Sequence, residues 1–80
     1  MTGGGTPVPG IGDRWLAGEA LPGVRFGAGA RVAFARGSRA GERATVMLLV
    51  AVQPEPLYHV RVDGGAELHV RQSALDAVDA

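Results

Sequence analysis

The chain has 80 residues, 8 basic and 8 acidic side chains, a formal net charge of zero and no cysteine. This length corresponds to one small domain of marginal core stability, and the missing cysteines exclude disulfides, thiolate catalysis and Cys-ligated zinc or iron–sulfur sites. The balanced charge also argues against electrostatic binding to nucleic acid or an anionic membrane. We therefore expect the domain to be stabilised by association with other chains.

The remaining composition bears on origin and location. All 8 basic residues are arginine, which together with abundant Ala, Gly and Val indicates a GC-rich bacterial genome. The sequence has no apolar run long enough to span a membrane, and residues 1–5 lack the basic start and apolar core of a secretion signal. These features predict a cytoplasmic protein.

The N-terminal part of the chain is predicted to be a leader followed by a short arm. Residues 1–10 contain four glycines and two prolines, a composition that favours a flexible leader. Apolar residues at roughly helical spacing follow, but Pro22 restricts them to one helical turn or an extended arm. We assign residues 1–22 to the leader and arm and 23–80 to one barrel domain. Trp15, the one tryptophan, is predicted either to plug the barrel end or to anchor a partner.

The rest of the chain has the sequence pattern of a meandering antiparallel sheet. From Phe26 onward, short apolar runs are separated by turn residues. Gly64 and Gly65 after Asp63 are a strong hairpin signal. The fold class predicted is all-β, a small barrel. Its five strands are predicted over residues 31–35, 44–53, 57–63, 66–70 and 75–78.

The predicted second strand is apolar on both faces. An exposed apolar face of several hundred Å² is uncommon in soluble monomers, so this strand needs a second cover. We predict a partner interface at Trp15, Met47 and Leu49. The alternative is that the chain's own N-terminal arm folds back over Met47 and Leu49. The face predicted to fill the barrel carries Val46, Leu48, Val50 and Val52, and the opposite face carries Thr45, Met47, Leu49 and Ala51.

The chain carries no recognisable catalytic signature, and the two histidines are its best metal-ligand candidates. The predicted hairpin places His59 near Val70 and His69 near Val60, as diagonal neighbours on a polar face. Two imidazoles without a third ligand make a weak metal site, so we expect a solvated or interfacial pair. The sequence therefore predicts no metal and no cofactor bound by this chain.

Three arginines lie in and beside the loop after the first strand. Arg36, Arg39 and Arg43 have Glu42 as the one nearby acid in the sequence. Loop arginines of this kind can bind an anion or a partner carboxylate, because the guanidinium group donates in a fixed fork. The alternative is a solvated polar loop.

Residues 25–32, 54–62 and 67–75 form three segments that resemble parts of the C-terminal SH3-like barrel of nitrile hydratase β subunits. Residues 25–32, Arg-Phe-Gly-Ala-Gly-Ala-Arg-Val, are similar to that family's Arg-Phe-x-x-Gly-Asp-Arg-Val. Residues 54–62, Pro-Glu-Pro-Leu-Tyr-His-Val-Arg-Val, resemble its Pro-Gln-Pro-Leu-Tyr-Thr-Val-Arg-Phe strand, and residues 67–75 look like its closing strand, turn and final leucine. The resemblance implies a five-stranded SH3-like barrel that packs on a metal-bearing α subunit.

The same resemblance implies a function. In that family the α subunit holds low-spin iron or cobalt in a Cys-rich loop and hydrates a nitrile to an amide. This chain has no cysteine, so it would supply the barrel and no metal ligand. β subunits contribute arginines to the modified cysteines at the metal, and Arg36 and Arg39 stand in the corresponding region. The resemblance therefore implies an accessory β-type subunit in which Arg36 and Arg39 contact the partner's metal site.

Two alternatives belong to other functional classes. Residues 26–32 are also similar to the Phe-Gly-Met-Gly-Asp-Arg-Val of type II dihydrofolate reductases, SH3-like barrels of which four copies enclose one active-site pore. In that alignment Leu68 and Val70 replace the pore-lining glutamine and tyrosine. The third possibility is a free-standing interaction module that binds an apolar partner through Met47 and Leu49.

Overall fold

The structure is a computed structural model that describes residues 11–78. It confirms the predicted all-β class, since one short helix is followed by five antiparallel strands in a single sheet. The predicted leader, residues 1–10, lies outside the described residues. The elements are α1 (Ile11–Leu16), β1 (Arg31–Phe34), β2 (Arg43–Ala51), β3 (Leu57–Val62), β4 (Glu67–Arg71), a 3₁₀ helix (Gln72–Ala74) and β5 (Leu75–Ala77).

The strands are arranged in the order β4-β3-β2-β1-β5. Strands β1 to β4 form a meander of sequential neighbours, and the chain then passes through the 3₁₀ helix so that β5 pairs with β1. Strand β2 is the longest and joins the two parts of the sheet, because its first residues pair with β1 while residues 44–51 pair with β3. Strands β4 and β5 are left at the two edges.

The β3–β4 hairpin has a three-residue loop, residues 63–65. The Gly65 N–H donates to Val62 O at 2.7 Å and the Val62 N–H donates to Ala66 O at 2.7 Å. Gly65 has a φ of 106°, a region that side chains rarely adopt and that this loop requires. A two-residue turn would give a register that differs by one residue. The predicted diagonal placement is therefore wrong, and His59 lies directly opposite His69.

Strand β2 does not alternate regularly. Its pairing with β3 shifts register between Val46 and Leu48 and again between Leu49 and Ala51. Each shift inserts an extra residue on β2, and an extra residue exchanges the faces that the following side chains occupy. The prediction that Leu48 fills the interior together with Val46 is wrong for this reason. Val46 is fully buried, whereas Leu48 is exposed and Leu49 packs against the core.

The N-terminal arm is part of the core. Trp15 is 2% exposed, and its Nε1–H donates a 2.7 Å hydrogen bond to Phe26 O. This burial agrees with the plug alternative and removes Trp15 from the predicted partner interface, because its ring and its N–H group are both used inside the chain. The core contains Trp15, Phe26, Val32, Phe34, Ala44, Val46, Tyr58, Val60, Val62 and Leu75.

Gln72, the first residue of the 3₁₀ helix, ties the arm to the sheet. Its Oε1 accepts from the Arg25 N–H at 2.9 Å and from the Tyr58 hydroxyl at 2.5 Å, and its Nε2 donates to Gly23 O at 3.0 Å. The Tyr58 ring is fully buried and meets the Phe26 ring edge-on, with 5.6 Å between centroids. One amide side chain thus joins the segment after α1, strand β3 and the 3₁₀ helix.

Burial raises the pKa of Tyr58 above its ordinary value, and the backbone N–H groups of Phe26 and Arg25 oppose this rise only in part. The neutral phenol is therefore the form that the folded state prefers.

We expect Trp15→Ala to lower the free energy of unfolding by about 3 kcal/mol or more, because it removes a large buried ring and leaves the Phe26 carbonyl without its donor. Urea denaturation followed by circular dichroism measures this change. The matched control is Leu16→Ala, since Leu16 is the next residue of α1 and is 53% exposed. Equal losses in the two variants would contradict the assignment of Trp15 to the core.

We expect the stability that Tyr58 contributes to be complete below its unfolded-state pKa of about 10 and to be lost as pH rises through its higher folded-state pKa. Tyr58 is the one tyrosine of the chain, so tyrosinate absorbance follows it directly. The control is Tyr58→Phe, which removes this pH dependence and lowers stability at neutral pH by about 1 kcal/mol through the lost hydroxyl. A folded-state titration at the ordinary pKa would contradict the expectation.

Candidate functional site

A patch of apolar side chains on β2 remains exposed. Met47 is 38% exposed, Leu48 is 48% exposed and Val50 is 44% exposed, and we call these three residues the β2 strip. They lie close together on a strand whose other side packs on the core. Large apolar side chains grouped in this way on a small domain are typical of an interaction surface.

The β2 strip differs from the interface that the sequence predicts. The prediction of Met47 is compatible with its exposure, but Leu49 lies opposite Tyr58 and packs against the core. The sequence predicts Leu49 on the outer face. Because of the register shifts of β2, Leu48 and Val50 are exposed there instead. The described part of the N-terminal arm contacts β2 through α1, yet it leaves all three side chains of the strip exposed.

A histidine pair continues outward from the β2 strip. Leu48 lies opposite His59, and His59 lies opposite His69, so these three residues form one row across β2, β3 and β4. The two imidazole rings are edge-on with 5.2 Å between centroids. His59 Nε2 lies 2.7 Å from Glu67 Oε1, and this contact, together with the charge of Arg61, lowers the pKa of Glu67. The carboxylate is therefore ionised at neutral pH.

The surroundings of His59 and His69 bear on whether the pair could hold a metal ion. Within residues 11–78 no three His, Asp or Glu side chains are grouped so that they could hold a metal ion. The one carboxylate at the pair, Glu67, is engaged by His59 and lies 3.5 Å from the Arg61 guanidinium. A nearby cation of this kind opposes the binding of a metal cation.

A charged cluster lies on the same sheet face beside β1, at the other end of β2 from the strip. Arg31 donates to both oxygens of Asp63 at 2.7 Å and to Thr45 Oγ1 at 2.8 Å. The Arg31 guanidinium holds the pKa of Asp63 below its ordinary value, chiefly through this hydrogen bond. The outer face is thus apolar around the β2 strip and charged beside β1, which confines the candidate surface to the second half of β2.

The two arginines predicted to be catalytic have separate contacts within the chain. Arg36 Nη2 donates to Ser73 O at 2.9 Å, and Arg39 Nη1 lies 3.1 Å from Glu42 Oε1. The described contacts do not bring the two guanidinium groups together on a shared acceptor. Both contacts are exposed at the surface. An anion on a partner could therefore replace the Ser73 carbonyl or the Glu42 carboxylate as the acceptor at small cost in free energy.

A pocket of about 360 Å³ lies between the arm and the β2–β3 loop. It was not predicted from the sequence, because its walls are far apart in the chain. Gln72 helps to join them, since its side chain binds Gly23 and Arg25 and its N–H donates to Pro56 O at 2.9 Å. The proline-rich composition of the two walls is the one sequence signal for it. Its walls are largely apolar and consist of Leu21, Pro22, Gly23, Val24, Val52, Gln53, Pro54 and Pro56, with Arg14 and Glu55 as the charged members.

No helix among residues 11–78 has the length and apolar character needed to cross a membrane. No protein-family model, curated protein or solved structure matches the chain.

Proposed function

We propose that this chain is an accessory barrel subunit of a hetero-oligomer and that a partner subunit packs on the β2 strip. The observation that carries the proposal is the exposure of Met47, Leu48 and Val50 on a sheet whose core is already filled by other side chains. Covering these side chains would remove apolar area from water, at roughly 25 cal/mol per Å². A domain of this size, which has no disulfide, would be stabilised by that contact.

The partner that we propose is a metal-bearing α-type subunit like that of nitrile hydratases. The resemblance of residues 25–32, 54–62 and 67–75 to nitrile hydratase β subunits supports this choice. The assembly would hydrate a nitrile to an amide at an iron or cobalt ion held by the partner in the cytoplasm. This chain would provide the packing surface and no metal ligand.

Within this proposal Arg36 and Arg39 contact the partner's metal site. Each guanidinium group would exchange its present acceptor, the Ser73 carbonyl or the Glu42 carboxylate, for oxygen atoms of modified cysteines. Both present contacts are exposed hydrogen bonds, and their replacement by a bidentate contact to an anion is favourable.

We expect Leu48→Glu to weaken binding to a co-purified nitrile hydratase α-type subunit by roughly tenfold or more, because the substitution places a charge in the centre of an apolar contact. Isothermal titration calorimetry measures this change. The control is Ala77→Glu, which adds the same charge at an exposed position on β5. Equal affinities of the Leu48→Glu variant and the unmodified chain would remove the β2 strip as the interface. A homotetramer that binds NADPH, without affinity for the α-type subunit, would favour the reductase alternative.

We expect the double variant Arg36→Ala and Arg39→Ala to assemble with the partner normally and to lower the turnover of nitrile in the reconstituted complex by roughly tenfold or more. The assay is the rate of amide formation at saturating nitrile. The matched control is Arg14→Ala, which also removes an exposed, ion-paired arginine but one that lies on α1. Unchanged turnover in the double variant would discard the role of both arginines.

A further inference from the structure

Strand β4 is an edge strand of the sheet, and within residues 11–78 the backbone groups on its outer side have no strand partner. In the β3–β4 ladder the hydrogen bonds at the two ends join Val62 to Ala66 and Gln72 to Pro56. Hydrogen-bonded and non-hydrogen-bonded pairs alternate in an antiparallel ladder. The backbone groups of Leu68 and Val70 therefore point toward β3, and those of residues 67, 69 and 71 point away from the sheet.

In the part of the chain that the structure describes, the outward backbone groups are available with one exception. Arg71 is the N-cap residue of the 3₁₀ helix, so its carbonyl accepts the first hydrogen bond of that helix. The N–H groups of Glu67, His69 and Arg71 remain, together with the carbonyls of Glu67 and His69. Such a row is a template for an additional strand.

The side chains of β4 are complementary to the same strand in the reverse direction. Residues 67–71 read Glu-Leu-His-Val-Arg, with an acidic residue and a basic residue at equal distances from His69. An antiparallel copy centred on His69 places Glu67 opposite Arg71 of the second copy and Arg71 opposite Glu67 of the second copy. Opposite charges directly across an antiparallel pair are stabilising.

The charges are placed to make these contacts. Glu67, His69 and Arg71 are all exposed on the outer face. Among residues 11–78 Arg71 has no ion-pair partner, and the pKa of Glu67 is lowered by its His59 and Arg61 contacts. A carboxylate accepts at two oxygens from several directions, so Glu67 can keep its intrachain contacts and accept from a second guanidinium.

We propose that two copies of this chain pair β4 with β4 in an antiparallel arrangement about a two-fold axis at His69. The backbone groups at this register make four hydrogen bonds, two between the His69 residues and one from each Arg71 N–H to the Glu67 carbonyl of the other copy. The partly buried Leu68 and Val70 lie opposite each other across the axis on the inner face, where they gain further cover.

The charges select the centre of the pairing. Centres at Leu68, His69 and Val70 all bring outward-facing backbone groups of the two copies together, because the outward residues 67, 69 and 71 alternate along the strand. A centre at Leu68 would place Glu67 opposite His69, and a centre at Val70 would place Arg71 opposite His69, so neither forms a Glu67–Arg71 pair. A strand centred on His69 satisfies both the free backbone groups and the two charge pairs. An isologous contact of this kind closes as a dimer.

The dimer is independent of the proposed function, because the backbone edge of β4 and the β2 strip share no residue. Leu48→Glu is therefore expected to leave the dimer unchanged, so loss of one interface is distinguishable from loss of the other.

The test is sedimentation velocity of the full chain over a range of concentrations. The unmodified chain is expected to show a monomer–dimer equilibrium. Arg71→Glu places two carboxylates opposite each other at both ends of the pairing, and Glu67→Arg places two guanidinium groups there. Each variant alone is expected to dimerise roughly tenfold more weakly or worse. A mixture of the two variants restores both opposite-charge pairs and is expected to recover the dimer as a heterodimer.

A backbone variant tests the hydrogen bonds without a change of charge pairs. His69→Pro removes the N–H at the centre of the pairing, and an edge strand tolerates proline where the N–H faces solvent. This variant is expected to be monomeric with an unchanged circular dichroism spectrum. If it does not fold, the mixing experiment with the charge variants decides the matter.

The proposal is overturned if the unmodified chain sediments as a monomer at all concentrations, or if the dimer dissociates in Leu48→Glu and persists in Arg71→Glu. It is also overturned if the mixture of Arg71→Glu with Glu67→Arg remains monomeric.

Discussion

The extra residue that β2 accommodates after Val46 is the constraint on which the surface of this protein depends. Before this point the strand alternates with its even-numbered residues inside, and after it Leu49 faces the core beside Tyr58. The shift places Leu48 in the outer row with His59, where its side chain remains exposed. Bulges bend a strand and increase its twist, and here they follow the part of β2 that pairs with β1 on one side and with β3 on the other. The same local irregularity therefore shapes the sheet and exposes the β2 strip.

The core is completed by the segment that precedes the sheet. Trp15 contributes the largest ring to the interior, and Gln72 fixes the following segment by bonds to Gly23 and Arg25. The division predicted at residue 22 is crossed by these contacts, so α1 and the sheet form one packed unit in the described residues. A small sheet gains a cover for one face in this way without a disulfide. This cover lies on the inner face, so it leaves the β2 strip on the outer face exposed and available to another chain.

The sequence predicts the strands well and the side-chain directions on β2 poorly. Period-two alternation and glycine or proline turns identify all five strands to within two residues of their observed bounds. An inserted residue in an apolar run such as 46–50 leaves no mark in composition, since every residue there is apolar and both faces read alike. The one-residue error at His59 and His69 has a similar cause, because two- and three-residue loops containing Gly65 give the same signal. Gln72 binds Gly23, which lies 49 positions away in the sequence. No local sequence pattern predicts a contact of this kind.

The position of the β2 strip within the sheet bears on how an assembly could be built. Strands β2, β3 and β4 are consecutive neighbours, and adjacent strands are about 4.8 Å apart. Pairing of β4 with β4 about an axis perpendicular to the sheet keeps the outer faces of both copies on the same side. The Leu48 residues of the two copies would then be five strand spacings apart, about 24 Å, with His59 and His69 of each copy between them. Two partner subunits would dock on one continuous face, so the dimer axis at His69 would also relate the partners. A two-fold dimer of this domain with one partner on each strip is therefore the simplest closed assembly that uses both surfaces.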